Sequence, residues 1–380
     1  MSGKNDEIEV FWYLTAPDGH SPWSADGARK IDLPYLKQIA GAVDQLGYTG
    51  ALLATGPHDA WVLGSSLITS TENMKFLIAI HPPLISPVLA AKMTQTFDDF
   101  SDGRIILNII NGNTAQMRAY GSTLGHDERY MYSDEWIQVW KKAVAGESLD
   151  FHGKYIMAEG KALQLSSAHQ PTPPLFFGGS SQAAHAIAAK HIDTYLSWGE
   201  TPPQVAEKIK DLKALAAEQD RTLKFGIRLY LIVRDSDEEA WNEARRLLKT
   251  MDPDVVATMQ GNLRQSDSVG QQRMIANHTG TIPEDPRELE IYPDLWAGLS
   301  LVRPGPGTAI VGSPETVLKR IQEYRDAGIT TFIVSGIPLL EEAYRVGEQI
   351  LPYLPIAKPS DKKSIKEDDE KVYTWNHKIH

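Results

Sequence analysis

The sequence contains no cysteine. That excludes disulfides, thiolate metal sites and a cysteine nucleophile. It has no run of about 18 apolar residues, so no membrane span is expected. The stretch from Met1 to Val10 lacks an apolar signal core, and a cytoplasmic enzyme is the expectation. Basic residues are in deficit: 38 Lys and Arg face 49 Asp and Glu, for a formal net charge of −11. An acidic surface argues against nucleic acid or an anionic membrane as partner. It leaves a small anionic substrate open, because the local field of a pocket can oppose the global one. The 11 histidines show neither H-x-H nor H-E-x-x-H spacing, so no metal is expected. No G-x-G-x-x-G follows the first strand-like segment, which weakens a dinucleotide-binding open sheet.

What is present is alternation. Short apolar runs at Val10–Leu14, Ala51–Leu53, Lys75–Ile80, Ile105–Ile110, Leu175–Phe177, Thr194–Leu196, Phe225–Val233 and Phe332–Ser335 read as strands. Helical patterns follow them at Pro34–Leu46, Asp59–Ile68, Pro87–Phe100, Ser133–Ala145 (Ser133 as N-cap), Ser181–Ala189, Pro203–Glu218, Glu238–Thr250 and Glu341–Leu351. Apolar strands alternating with helices imply a parallel sheet covered on both faces. Eight such units in 380 residues predict one (β/α)8 TIM barrel, with a doubly wound open sheet as the alternative. Two segments interrupt the pattern. His126–Leu165 holds a helix and a hairpin near Phe151–Met157. Met251 to about Gly312 is rich in Gly, Pro and Asp, carries Gln271, Gln272 and Arg273, and reads as a mobile, partly helical lid after strand seven. The domain is expected over residues 1–359, with residues 360–380 a charged flexible tail.

Active sites of such barrels lie where strands end and the following loops begin. After the fifth strand comes Gly178-Gly179-Ser180-Ser181. Glycines let backbone amides approach an anion, and a helix N-terminus adds positive partial charge. The turn is either a phosphate site or a tight βα turn with a serine cap. In Phe225-Gly226-Ile227-Arg228-Leu229-Tyr230, alternation puts Arg228 and Tyr230 on one face and the aliphatic residues on the other. Arg228 is therefore expected inside the barrel, either in an internal ion pair or as an anion ligand. Trp198 ends the sixth strand as pocket wall or as core. Arg303, on a glycine-rich loop, is either solvated or closes over an anion. His126 and Tyr130 either bind cofactor or cap a helix.

The chain resembles the flavin-dependent alkanesulfonate monooxygenases of the bacterial luciferase-like superfamily from about Phe11 to Leu354. The resemblance rests on FWYL at Phe11, PYLKQIA at Pro34, FGGSS at Phe177, WGE at Trp198, KFGIRL at Lys224, DSVGQQRM at Asp267, LWAG at Leu295, GTAIVG at Gly307 and LEEAYRVGE at Leu340. It implies FMN as cofactor, delivered as FMNH2 by a separate NAD(P)H-dependent FMN reductase. It also implies dioxygen, an organic anionic substrate cleaved to aldehyde and sulfite, and a homo-oligomer. Carried over, Gly179, Ser180 and Ser181 resemble the FMN-phosphate turn. His126 and Tyr130 look like cofactor contacts, and Thr55, Asn108 and Asn111 fall in segments lining the isoalloxazine. Trp198 and Arg228 match the sulfonate pocket, and Arg303 the loop arginine guarding the reduced flavin. Tyr230, Ile337 and Leu339 depart from it, standing where the family usually has His, Tyr and His. A non-sulfonate substrate, a deazaflavin-dependent oxidoreductase and a non-catalytic flavin- or anion-binding barrel are the alternatives.

Overall fold

A computed structural model of the protein describes residues 7–161, 169 and 172–357; the expected tail at 360–380 lies outside them. Eight parallel strands form the barrel: β1 Glu9–Tyr13, β2 Gly50–Leu53, β3 Lys75–Ile80, β4 Ile105–Ile109, β5 Leu175–Phe177, β6 Thr194–Trp198, β7 Lys224–Val233 and β8 Thr331–Ser335. β8 pairs with β1 and β6 with β7, so the ring is closed. This is a TIM barrel, and all eight strands fall where apolar runs placed them.

Alternation along the strands explains why the ring is stable. Outward residues such as Trp12, Phe76, Leu107, Phe177, Ile227 and Val334 are buried in the large core that the helices share. Inward residues Phe11, Leu52, Leu77, Ile106, Phe176, Leu196 and Ile333 fill the lower barrel as one apolar layer. The Phe11 and Phe176 rings meet edge to face at 6.0 Å. Two residues further along, the same inward face carries Tyr13, Asn108, Trp198, Arg228 and Ser335. A dry apolar floor thus lies directly beneath a polar layer.

Most helices begin where a side chain takes the first free amides. Asp32, Asp59, Ser181, Ser236, Asp252 and Ser313 all cap this way. The expected cap at Ser133 is not one. That helix runs His126–Val144, starting at Gly125 with Glu128 folding back onto the Gly125 amide. Ser133 is buried in its middle and donates to Asn111 Oδ1 at 2.8 Å. The hairpin is found at Leu149–His152 and Met157–Gly160.

The segment 251–312 is more regular than its composition suggests. It holds helices Pro253–Arg264 and Val269–Ile275, short strands Glu290–Tyr292 and Leu295–Trp296, and a strand Ala309–Gly312. That last strand pairs parallel with Tyr230–Val233, the upper half of β7. β7 is ten residues long because its lower half closes the barrel and its upper half anchors the insertion. A further helix, Pro314–Asp326, precedes β8. It was not anticipated, although the Ser313 cap and the spacing of Val317, Ile321 and Tyr324 mark it.

The apolar layer sets barrel stability. Phe176→Ala should cost about 3–5 kcal/mol in denaturant unfolding. A loss below about 1 kcal/mol would show that the layer is not what holds the ring together.

Candidate functional site

Strand β5 runs into Gly178-Gly179-Ser180-Ser181, and the helix Gln182–His191 starts at once. Ser181 Oγ accepts from the Ala184 amide at 3.2 Å. A Cβ on Gly179 would stand 2.7 Å from Ala184 Cβ, and one on Gly178 would stand 2.9 Å from the Leu196 carbonyl oxygen. Only glycine permits this close turn. The Tyr195 hydroxyl donates to Gly179 O at 2.5 Å and fixes the loop from below. Tyr130 faces the turn. Burial raises its phenol pKa, a hydrogen bond with Ser181 partly opposes this, and the phenol stays a neutral donor. The His126 ring lies 5.1 Å from that of Tyr130, and its Nδ1 contacts Asp127 Oδ1 at 2.7 Å. Amides, hydroxyls and a helix N-terminus therefore converge on one point, the donor set a phosphate monoester needs.

A cavity of about 250 Å³ opens from this turn. Asn108, Asn111, His126, Tyr130, Gly179, Ser180, Ser181 and Trp198 all line it, as do Gly270, Gln271 and Gly305 from the insertion. Asn111 Oδ1 is taken by Ser133, and its Nδ2 is buried without a partner, as is Asn108 Oδ1. Buried polar atoms left bare are costly, about 1–3 kcal/mol each, and mark places where a ligand supplies the missing bond. Trp198 stands at the mouth. Its amide donates to Glu200 Oε2 at 2.8 Å, and Glu200 also holds Lys208. The insertion helix lies on the indole: a Cβ on Gly270 would be 3.0 Å from it.

Arg228 points into the barrel, as alternation required. It is buried, and its guanidinium carbon lies 4.7 Å from the Tyr13 ring centre and 4.4 Å from that of Tyr230. It donates to Ser335 Oγ at 2.6 Å and to the Leu229 carbonyl. Arg303 reaches the same place from its loop, 4.9 Å from the Tyr230 ring centre and 5.9 Å from that of Tyr13. Among the described residues neither guanidinium has a carboxylate within 4.0 Å. Arg303 Nη1 is buried with no partner at all. Burial lowers the Arg228 pKa to about 9. Burial, and then the charge of Arg228, lowers that of Arg303 to about 10. Both remain cations at neutral pH. The internal ion pair weighed for Arg228 is not formed.

Arg129 shows what a charge-paired buried arginine looks like here, although its Nε is bare. It is fully buried, donates to the Leu124 and Gly112 carbonyls and to Thr114 Oγ1, and pairs with Asp267. Cation–π contact is worth about 2 kcal/mol when desolvated. An unpaired buried ion costs several. Arg228, with two rings and two hydrogen bonds, and half-buried Arg303, whose Nε donates to the Pro304 carbonyl at 3.1 Å, are thus both short of one component, an anion.

Thr55 is not brought to this cavity. It lines a second one of about 440 Å³ with His58, Trp61, His81 and Tyr120. His81, at the end of β3, was overlooked, although the barrel rule points to every strand end. Its Nδ1 lies 2.8 Å from Ile110 O, which can only accept, so Nδ1 carries the proton. Nε2 is left a bare, buried acceptor, and burial holds the imidazole pKa low. Tyr13, against Arg228, was also missed, and Ser335, which the strand-end rule does select, was not linked to Arg228; the alternation applied to β7 finds them on β1 and β8. Ile337 packs with the Tyr230 cluster, whereas Leu339 is buried in the core beneath the helices.

The residues at the phosphate turn and cavity wall fit a flavin mononucleotide by two observations: a glycine cradle that a Cβ would fill, and bare amide groups of both polarities. Similarity to known proteins bears on the fold and the family. The chain resembles a riboflavin lyase solved with modified FMN and riboflavin, with TM-score 0.77, 19% identity and 94% of each chain covered. It resembles a long-chain alkane monooxygenase with TM-score 0.73 and 18% identity, covering 92% of this chain and 91% of that one. An EDTA monooxygenase from Chelativorans sp. BNC1 gives TM-score 0.72 and 16% identity, covering 91% and 93%. These likenesses establish the fold. The sequence pattern of the luciferase-like monooxygenases matches residues 11–331, and the chain belongs to that family.

Proposed function

We propose that the protein is the oxygenating component of a two-component monooxygenase that uses reduced FMN and cleaves an organosulfonate to an aldehyde and sulfite. The observation that carries this reading is the pair of carboxylate-free guanidiniums, buried Arg228 and half-buried Arg303, at the same end of the barrel as the phosphate-type turn, with Arg228 paired on its strand to Trp198 of the cavity wall. A planar fork matches the oxygens of a sulfonate, and two cations together match its charge. Reduced FMN, delivered by a separate reductase, supplies the electrons for dioxygen chemistry. Overall, the C–S bond breaks, one oxygen atom of dioxygen enters the aldehyde and the other leaves as water, while FMNH2 becomes FMN.

The chain's own residues bind, orient and exclude water. Gly179, Ser180 and Ser181 hold the phosphate, with Tyr130 and His126 beside them. Asn108 and Asn111 offer the cofactor an acceptor and a donor. Arg228 and Arg303 fix the anionic end of the substrate, and Tyr13 and Tyr230 hold both guanidiniums flat. Arg228 also stabilises the negative charge that collects on the departing sulfite. Trp198 and the insertion helix cover the mouth, which keeps water from the reacting atoms.

A screen of sulfite release over an alkanesulfonate chain-length series, with reduced FMN and oxygen, tests the reaction. Tyr230 and Ile337 make this end of the barrel less polar than the resembling sites, so a small sulfonate regains few of its water hydrogen bonds. Longer chains gain about 0.8 kcal/mol per buried methylene. Activity should therefore rise with chain length. No sulfite from any member, with flavin still bound, would leave the monooxygenase reading but remove the sulfonate.

Ser181→Asp tests the phosphate site. Aspartate caps a helix as well as serine does, so stability should hold. Its charge meets the phosphate, and FMN affinity should fall at least about tenfold, or about 1.4 kcal/mol. Unchanged affinity in a fluorescence titration would move the phosphate elsewhere.

Arg228→Met separates function from stability. Replacing an unpaired buried charge by an apolar side chain of similar volume is neutral or stabilising. The thermal midpoint of the ligand-free protein should hold or rise, while kcat/KM falls at least about 100-fold, or about 2.7 kcal/mol. A lower midpoint with kcat/KM intact would make Arg228 structural.

A further inference from the structure

The Arg303 loop occupies a position that electrostatics alone disfavours. Arg228 already stands in the barrel, and its charge pushes down the pKa of Arg303, so the two cations repel. The rings of Tyr13 and Tyr230 offset part of that repulsion. The rest must come from whatever holds the loop backbone. At its N-terminal side, Gln260 Nε2 donates to the Ser300 and Leu301 carbonyls at 2.8 and 2.9 Å. Beyond Arg303 the Gly305 amide donates to Gln271 Oε1 at 2.8 Å, and three residues on Thr308 is anchored, its carbonyl accepting from the Tyr230 amide and its hydroxyl 3.9 Å from Met274 Sδ. Gly305 has φ +77°, a conformation that favours glycine, so the chain turns sharply at the point where Gln271 grips it.

Gln271 sits on the insertion helix Val269–Ile275, next to Gly270, which lies on Trp198. It is 4% exposed and lines the cavity. Its oxygen is used by Gly305, which fixes the orientation of the amide and makes Nε2 a donor. That Nε2 is buried and has no partner. A carboxamide with one end fastened to the Arg303 loop and the other bare at the cavity wall is built to join the two.

We propose that Gln271 is the positioning residue of the Arg303 loop, its amide oxygen holding Gly305 while its amide N–H recognises an acceptor oxygen of FMN in the cavity. The second half rests on the flavin reading above; the first does not. The consequence is a coupling. Ligand on Nε2 stiffens the carboxamide, the carboxamide holds Gly305, and Arg303 is kept over Tyr13 and Tyr230, where the anion needs it.

Two variants and two measurements test this. Gln271→Glu keeps an oxygen for Gly305 and loses the N–H; Gln271→Ala loses both. Hydrogen exchange of the peptide spanning residues 301–308 reads the loop without ligand. It should quicken at least about fivefold in Gln271→Ala and stay at the wild-type rate in Gln271→Glu. FMN titration by flavin fluorescence reads recognition. Both variants should bind at least about tenfold more weakly than wild type. Wild-type exchange in Gln271→Ala overturns the positioning role, and wild-type FMN affinity in Gln271→Glu overturns recognition. If the wild-type protein binds no FMN, the flavin reading and the recognition half fail together, while the exchange result still decides whether Gln271 holds the loop.

Discussion

Two guanidiniums held side by side without a carboxylate, Arg228 buried and Arg303 half-buried, are the feature on which the rest of this barrel depends. Arg228 comes from a strand and Arg303 from an insertion, and both are held between Tyr13 and Tyr230. Keeping Arg228 dry and unpaired costs several kcal/mol. The apolar layer of Phe11, Leu52, Leu77, Ile106, Phe176, Leu196 and Ile333 gives the rigid floor against which that strain is held. A fold that only needed to be stable would place aliphatic residues above this floor. On the function proposed above, the polar layer is there to bind something anionic.

Division of labour follows from the topology. The phosphate-type turn and the asparagine wall sit on β4 and β5, elements fixed by barrel pairing on both sides. Arg228 is equally fixed. Arg303, Gln271 and Gly270 all come from the insertion, which joins the barrel through one parallel strand on the upper half of β7. The turn end therefore rests on barrel strands, while the arginine end combines a strand residue with the insertion, which is also tied to the barrel side through Asp267 to Thr114 and Arg129 and through Arg273 to Glu200. Such placement lets one scaffold bind a large cofactor and then shut out water.

Much of this was legible in the sequence, for physical reasons. Parallel strands covered on both faces are continuous apolar runs, so all eight were visible. Alternation in Gly226-Ile227-Arg228-Leu229-Tyr230 placed Arg228 inside correctly, because a period of two leaves no other choice when one face is wholly aliphatic. The fate of Arg228 was not legible, since whether a carboxylate meets it depends on contacts distant in sequence. Arg129 and Arg303 illustrate this: the first found Asp267 and the second found Arg228. Ser133 misled because a serine before an apolar run reads as a cap, and its hydroxyl is instead spent on Asn111. The insertion was legible as partly helical, but its glycines and prolines, which mark turns between the helices, hid where those helices begin and end. Gln271 stood in plain view, but nothing local says that its two amide ends face different partners.

The central claim is that the barrel mouth is built for an anion. Calorimetric titration of the ligand-free protein with a long-chain alkanesulfonate and with its uncharged sulfonamide analogue tests this most directly. The account predicts that the sulfonate binds at least about tenfold more tightly, a difference of about 1.4 kcal/mol or more. Equal affinity for the two would contradict it, because the charges of Arg228 and Arg303 would then have no part in recognition.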